Sequence, residues 1–456
     1  AAHHHHHHRR RRHRHHASKN PLNTFTRWMN DEIRMRGFRV ENLQTDLKNG
    51  LILINLMEII SGKKLGKYNK NPVIMPQKIE NLNIALAFIK KEGLKLVNVG
   101  AEDIASGNLR IILGLVWTII LRYEINRNGD DDLLKWIQSK IPEYGITNFT
   151  KNWNNGCALN GLINALRPDL CKDHKSLDKK KKLDNARRGI DTADKEMGVD
   201  PLVLPEEMTH KRVDKQAMMT YLAQFRNLKP TSDAYRVRAW GKGLNKCIQD
   251  MKAPFFVQKP NDAKGQIEVK VLDQDGKQVA CDIQKESGSS YEKLACSYVP
   301  KKAGTYKVHI TLDGKHVPGS VFTVTIEADL SIGGEGKVFC FFSTTSGNLK
   351  QRSDIQNTKT LLTSKKVHLR KDFVPWIPVD LMDREDREAV FQKAGTRKLP
   401  IVIIDDKYLG DYDTLLALEE SDKLDVMLKL DQAELVSEAE HKERLKKYNA
   451  SGDSMP

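Results

Sequence analysis

Asn49-Gly50-Leu51-Ile-Leu-Ile-Asn-Leu-Met-Glu-Ile-Ile60 places an Asn-Gly step directly before an apolar run, and Asn155-Gly156-Cys157 repeats that step before a second one. Other residues echo at the same offset of about 105 residues. Trp28 answers to Trp136, and Glu80-Asn81-Leu82 answers to Asp184-Asn185-Ala186. This period is a repeated domain, since solenoid units run only from about 20 to 50 residues. The apolar spacing around each step is helical. Phe25, Trp28, Met29 and Ile33 share a face, Leu51 to Ile60 and Ile84 to Ile89 mark buried helices, and Asn108 to Tyr123 is a long apolar helix. Residues 124–132 are polar with one Gly and read as a linker. Their three Asp then open the next helix, where negative charge suits the N-terminal end of the dipole; that helix carries Leu133, Leu134, Trp136 and Ile137.

The whole chain has 456 residues, which suggests three or four domains. Residues 1–18 read as an expression tag. Its His/Arg run holds nine of the fifteen His and five Arg, so setting it aside lowers the net charge from +16 to +11. A His-rich metal protein is thereby excluded, and neither a metal nor a cofactor is expected. The remaining charge is uneven: residues 19–230 hold 35 basic and 25 acidic residues, 231–329 hold 15 and 12, and 330–456 hold 20 and 22. The basic first half suits an anionic partner. The longest apolar run, Ile111–Leu121, is too short for a bilayer span of about 20 residues. Six scattered Cys without a Cys-x-x-Cys pair suit a reducing, cytoplasmic setting.

Near Lys229 the pattern changes to short alternating runs, Gln266–Leu272, Lys293–Tyr298, Tyr306–Leu312 and Val321–Ile326, with turns at Asp275-Gly276 and Asp313-Gly314. Runs of that length and spacing predict an antiparallel β-sandwich. From Gly333 strand and helix alternate: Val338–Phe342, a helical stretch, Val374–Leu381, a helix from Arg384, Ile401–Ile404 and a helix from Asp413. This predicts an α/β unit. A charged helix is expected over 431–448 and a disordered tail after it.

Several of these stretches resemble known families. Asn23-Thr-Phe-Thr-Arg-Trp28-Met-Asn30, Asn42-Leu-Gln-Thr-Asp46-Leu-Lys-Asn-Gly50 and Gly107-Asn-Leu-Arg-Ile-Ile-Leu-Gly-Leu-Val-Trp117 resemble a first calponin-homology domain (20–124). Leu133-Leu-Lys-Trp136, Asn152-Trp153-Asn-Asn-Gly156 and Asp214-Lys-Gln-Ala-Met-Met-Thr-Tyr-Leu222 resemble the second domain of that tandem (133–229), joined by a linker at 125–132. Gly241-Lys-Gly243-Leu244, Cys296-Ser-Tyr298-Val-Pro300, Ala303-Gly-Thr-Tyr306 and Val317-Pro-Gly-Ser-Val-Phe322 resemble a filamin-type immunoglobulin-like repeat (231–328), with Val321 where family members usually have Pro. Leu399-Pro400-Ile-Val-Ile-Ile404 and Gly410-Asp411-Tyr412-Asp413 resemble a glutaredoxin-like thioredoxin fold (336–430). There Ser346-Gly347-Asn348-Leu349 stands in place of the redox Cys-x-x-Cys. The resemblance thus implies two all-α domains, a β-sandwich and an α/β domain, followed by 431–456.

It also implies a function: a non-enzymatic, filamin-like protein that binds actin filaments at the cell cortex and cross-links them as a homodimer assembled through 231–456. The alternative is a monomeric actin-tethered adaptor. A glutaredoxin or glutathione-transferase activity disagrees with Ser346–Leu349, and a nucleic-acid partner disagrees with the actin-binding pattern of the basic half. Mapped from the family, the actin-binding residues are Asn23, Thr26, Arg27, Asn30 and Arg34 on an outward helix face, the basic strip Lys63, Lys64, Lys67 and Lys70, and Asn108, Arg110, Ile111, Leu115 and Thr118 on the last helix. Trp136 and Ile137 are expected in the core and in the contact between the two domains. Ile267, Val269, Val279 and Ile283 would line a sandwich edge that takes a partner peptide by strand addition. For Lys179–Lys182 a solvated loop and a phosphoinositide site both stand.

Overall fold

The computed structural model describes residues 21–127, 132–330, 332 and 337–450, with the side chains of Pro375 and of 447–450 left aside. The expected tag, linker residues 128–131, the boundary at Gly333 and the end of the tail lie outside the described residues.

The first half is helical throughout. Its main helices are α1 (Leu22–Ile33), α2 (Leu51–Ser61), α3 (Met75–Lys91), α4 (Leu109–Ile120), α5 (Leu133–Lys140), α6 (Cys157–Leu166), α7 (Lys182–Met197) and α8 (Lys215–Ala223). The repeated Asn-Gly step is the hinge of each domain's core. Asn49 Oδ1 accepts from Leu51 N at 3.0 Å, and Asn155 Oδ1 accepts from Cys157 N at 2.9 Å. Asn81 Nδ2 donates to the Asn49 carbonyl, and Asn185 Nδ2 to the Asn155 carbonyl, both at 3.0 Å. Gly50 and Gly156 sit at φ +78° and +75°, and a Cβ would come within 2.5 Å of Asn81 Cβ in one case and of Ala186 N in the other. Only glycine allows that conformation and that approach. The helix after α4 continues as a wider turn to Ile125, which is buried, so the first residue expected in the linker belongs to the core.

The sandwich packs two sheets. One runs β1 (Arg238–Trp240), β3 (Ala253–Pro260), β7 (Tyr291–Tyr298), β6 (Asp282–Ser287); the other runs β2 (Lys246–Ile248), β10 (Phe322–Glu327), β8 (Gly304–Leu312), β4 (Ile267–Leu272), β5 (Gln278–Val279), with β9 (Lys315–His316) hairpinned on β8. Phe255, Val257, Leu294, Tyr298, Tyr306, Val308, Phe322 and Val324 fill the space between them.

In the C-terminal unit the sheet order is β12 (Phe373–Pro378), β11 (Val338–Phe342), β13 (Ile401–Ile404), β14 (Lys407–Gly410), with β11 parallel to β12 and antiparallel to β13. Helices α9 (Leu349–Ser364) and α11 (Tyr412–Glu420) cover one face, and α10 (Arg384–Ala394) covers the other. The terminal helix α12 (Glu438–Ala450) starts later than the expected residue 431. Leu430–Gln432 form a short 3-10 turn, and the segment after it is extended: Leu435 bridges to Arg370, and Val436 N donates to the Leu369 carbonyl at 2.6 Å.

Candidate functional site

The α1 face expected to point outward is covered. Arg27 donates to Glu207 at 2.6 Å and to the Leu202 carbonyl at 3.1 Å, and Asn23 donates to the same Glu207 at 3.4 Å. Glu207 and Leu202 belong to the second helical domain, so this face meets its neighbour. Asn30 is tied up locally, donating to the Val40 carbonyl at 2.9 Å and accepting from Val40 N at 2.7 Å. Thr26 Oγ1 donates to the Leu22 carbonyl at 2.8 Å.

Arg34 is only 4% exposed, against expectation. Its guanidinium lies 4.7 Å from the Tyr235 ring centre, and Nη1 donates to the Tyr235 carbonyl at 3.3 Å. It belongs to a charge hub where both helical domains meet the sandwich. At the hub's centre the buried Asp31 carboxylate takes an ion pair from Arg238, with Lys229 at 3.9 Å and Arg34 at 4.0 Å. Asp200 faces Lys229 at 3.3 Å and Arg238 at 3.6 Å. Burial alone would push the Asp31 carboxyl up, but the surrounding Arg238, Arg34 and Lys229 hold it below the usual carboxylate range. Beside the hub, Gly241 N donates to the Gly37 carbonyl at 2.9 Å, and a Cβ on Gly37 would fall 2.5 Å from Leu244 Cβ.

The basic strip matches its expected exposure. Lys63, Lys64, Lys67 and Lys70 are all exposed, and Lys63 pairs with Glu92 at 3.0 Å. The charge of Glu92 also acts on Tyr123, so this loop and the end of the helix following α4 share a side of the domain. At the other end of α4, Asn108 caps the helix and Arg110 is exposed. Arg110, Leu113 and Gly114 line an open groove of about 450 Å³ together with Pro21 and with Gln216 of α8. Ile111 and Thr118 are half-buried, and Thr118 Oγ1 donates to the Gly114 carbonyl. Leu115 is fully buried and belongs to the core: with α4 against the domain, its position falls on the inward stripe with Ile112, Val116 and Ile119.

Ile137 is also fully buried, and Trp136 half-buried. Helix α5 packs mainly on α6 and the 142–144 turn of its own domain. The main packing between the halves is instead α1 and the 121–125 turn against α8, with the Arg226 guanidinium on the Ile125 carbonyl. In the sandwich β4 is flanked by β8, and by β5 only at Val271 and Leu272, leaving 267–270 open on one side. Ile267, Val269 and Val279 are half-buried, Ile283 is 42% exposed, and β6 is the outermost strand of its sheet. Lys179–Lys182 are exposed.

The C-terminal unit is clasped to the first helical domain. Val73 and Ile74 are buried in the same apolar cluster as Phe339, Phe341, Ile377 and Ile401 of the sheet. Lys78 pairs with Asp386 at 2.6 Å; beside this clasp, Gln77 donates to the carbonyl of Ile332 in the connecting segment, and Asn71 donates to Glu327 of β10 in the sandwich at 2.9 Å. The Ser346–Leu349 segment is closed by side chains: Asn348 caps α9, and Ser346 Oγ donates to Gln351 at 2.5 Å. Cys340 is buried on the far face of β11 with Val338, and burial pushes its thiol up.

Sequence reasoning missed Asp31, Glu207, Asp200, Arg238 and Lys78, which hold the units together. Each is one charge among many in the sequence; Asp31, Glu207, Arg238 and Lys78 have partners from 180 to 308 residues away, and Asp200 meets Arg238 of the next unit, so no local spacing marks them.

Comparison with known proteins matches these units. The family model for the calponin homology (CH) domain matches residues 19–125 and 128–231, and that for the Filamin/ABP280 repeat matches 231–323. The chain is filamin-like: a tandem of CH domains followed by one filamin repeat. Drosophila melanogaster Filamin-A is 38% identical over 331 residues, covering 67% of this chain and 15% of the relative. Rattus norvegicus Filamin-C is 35% identical over 344 residues, covering 69% and 12%. Schizosaccharomyces pombe Alpha-actinin-like protein 1 is 40% identical over 228 residues, covering 47% and 37%. The filamin-like chain therefore spans a small part of the length of each of these relatives. Its first three domains carry the likeness, in the order CH, CH, filamin repeat.

Proposed function

We propose that this filamin-like chain binds actin filaments through its first CH domain and cross-links them as a homodimer assembled through residues 231–456, acting in the cytoplasm at the cell cortex. The observation that carries the reading is the exposed strip Lys63, Lys64, Lys67 and Lys70 on a CH domain. Such a strip suits the acidic surface of actin, speeding encounter and weakening with salt. Asn108, Arg110, Ile111 and Thr118 extend the surface along α4, while Asn23 and Arg27 join it only when the second domain moves away from α1. The Arg27–Glu207 contact thus supports a tandem whose closed form binds weakly and whose opening shifts the population toward binding.

The strand order of the C-terminal unit and its parallel first pair support a thioredoxin-like fold used for assembly and not catalysis. The buried, raised thiol of Cys340 supports that, since disulfide exchange needs an accessible thiolate. The half-exposed Ile267, Val269, Val279 and Ile283 support a peptide-binding edge on the filamin repeat, and the exposed Lys179–Lys182 supports a phosphoinositide headgroup as a second anionic ligand.

Co-sedimentation of the tag-free chain with actin filaments tests the reading. Pelleting at high speed reports binding and pelleting at low speed reports cross-linking. Lys63→Glu with Lys67→Glu should weaken binding at least tenfold, and Glu207→Ala should strengthen it. High-speed pelleting alone would leave the monomeric adaptor, and no pelleting of wild type or E207A would remove the actin reading.

A further inference from the structure

The chain has six cysteines, and all lie among the described residues. Cys157, Cys171, Cys247 and Cys340 are buried, and burial pushes each thiol up, that of Cys247 to about 12. The other two meet. In the sandwich, Asp282 pairs with Ser297 and Ile283 with Cys296, so Cys281, just ahead of β6, stands diagonal to Cys296 on the face turned toward the other sheet. Cys296 is buried in the core, Cys281 is half-buried at its rim, and the two thiols lie near enough to act on each other's ionisation. Residues 280–281 lie between the β5 and β6 ladders and have no strand partner, so the Cys281 side is free to close the last distance to a disulfide.

We propose that Cys281 and Cys296 form a reversible dithiol–disulfide site that is oxidised by low-molecular-weight disulfides and staples the edge strand β6 to β7. Cys281 is the attacking thiol. It is the more accessible of the two, and the neighbouring Cys296 thiol holds Cys281 below the usual thiol range, while Cys281 and burial push Cys296 above it. In the first step Cys281 loses its proton to solvent and its sulfur attacks the external disulfide. That S–S bond breaks, a mixed disulfide forms on Cys281, and one external thiolate leaves and takes up a proton. In the second step Cys296 loses its proton and attacks the Cys281 sulfur, releasing the second external thiol. The two protein thiols are oxidised to one disulfide, and the external disulfide is reduced to two thiols. The other four cysteines stay reduced because they are buried and protonated.

The fully reduced full-length chain is incubated with glutathione disulfide, denatured and alkylated. Four alkylated cysteines are expected, with one intrachain link between the peptides carrying Cys281 and Cys296 that dithiothreitol reverses. Cys296→Ser should stop at a glutathione adduct on Cys281, and Cys281→Ser should keep all five remaining thiols. Amides of β6 should exchange at least tenfold more slowly after oxidation of the wild type. Six free thiols, a link between any other pair, or a stable glutathione adduct on wild-type Cys281 with Cys296 still free would each overturn the proposal. These wild-type readouts decide it even if a Ser variant fails to fold.

Discussion

At Gly156 the backbone stands at φ +75° with Asn185 Cβ 2.7 Å from where a Cβ would be, and Gly50 occupies the same place in the first domain. A side chain there meets both an unfavourable backbone region and a neighbouring helix. Gly156→Ala should cost about 2–4 kcal/mol, adding backbone strain to overpacking, and chemical denaturation of the tandem would read it. An unchanged midpoint would mean that α7 moves aside easily. The Asn-Gly step was legible because every part of its motif is local or recurs. Leu115 shows the limit of such reading. A nearly continuous apolar helix gives no periodicity, so nothing in 109–120 told the inward Leu115 from the outward Arg110 except charge. Arg34 failed for the opposite reason: an arginine was taken as exposed, yet its burial comes from Tyr235, two hundred residues on.

Among elements, the alternating runs around β4, β7, β8 and β10 were readable, and their turns fell where Asp-Gly steps stand. Strand β3 was not recognised. Its inward residues are Ala253, Phe255, Val257 and Lys259, and the last is buried with its Nζ on the Ala263 carbonyl at 2.7 Å, so an apparently polar end hides a core position. Docking of the sandwich on α1 depends on Asp31. Because its folded-state carboxyl is depressed, its contribution is complete above the unfolded value of 3.8 and is lost as pH falls through the lower folded value. The Gly241 amide, bonded to the Gly37 carbonyl, should stay protected from exchange above about pH 4 and lose protection below it. Asp31→Asn should lower that protection at neutral pH and flatten its pH dependence. Acid loss identical in wild type and D31N would assign the effect to other carboxylates.

For the whole molecule, domain order and class could be read from composition and period, but the way the domains hold each other could not. The apolar residues Val73 and Ile74 look like ordinary core of the first CH domain, yet they are buried in the C-terminal sheet's cluster. Lys78→Glu would face Asp386 and Asp383 with a like charge and should weaken this clasp by about 2–4 kcal/mol. Small-angle scattering should then report a larger radius of gyration, and adding Asp386→Lys should bring it back. If the radius does not change, Val73 and Ile74 hold the clasp without the charges.

The clasp also decides how the molecule carries tension. Four units strung end to end would share one load, and the weakest would yield first. Here a pull on the C-terminal unit reaches the first CH domain by two routes in parallel, through the filamin repeat and directly across Val73, Ile74 and Lys78. While the direct route holds, it shields the filamin repeat from force. Once it slips, the repeat takes the full load, so the molecule behaves as a slack tether with a fuse.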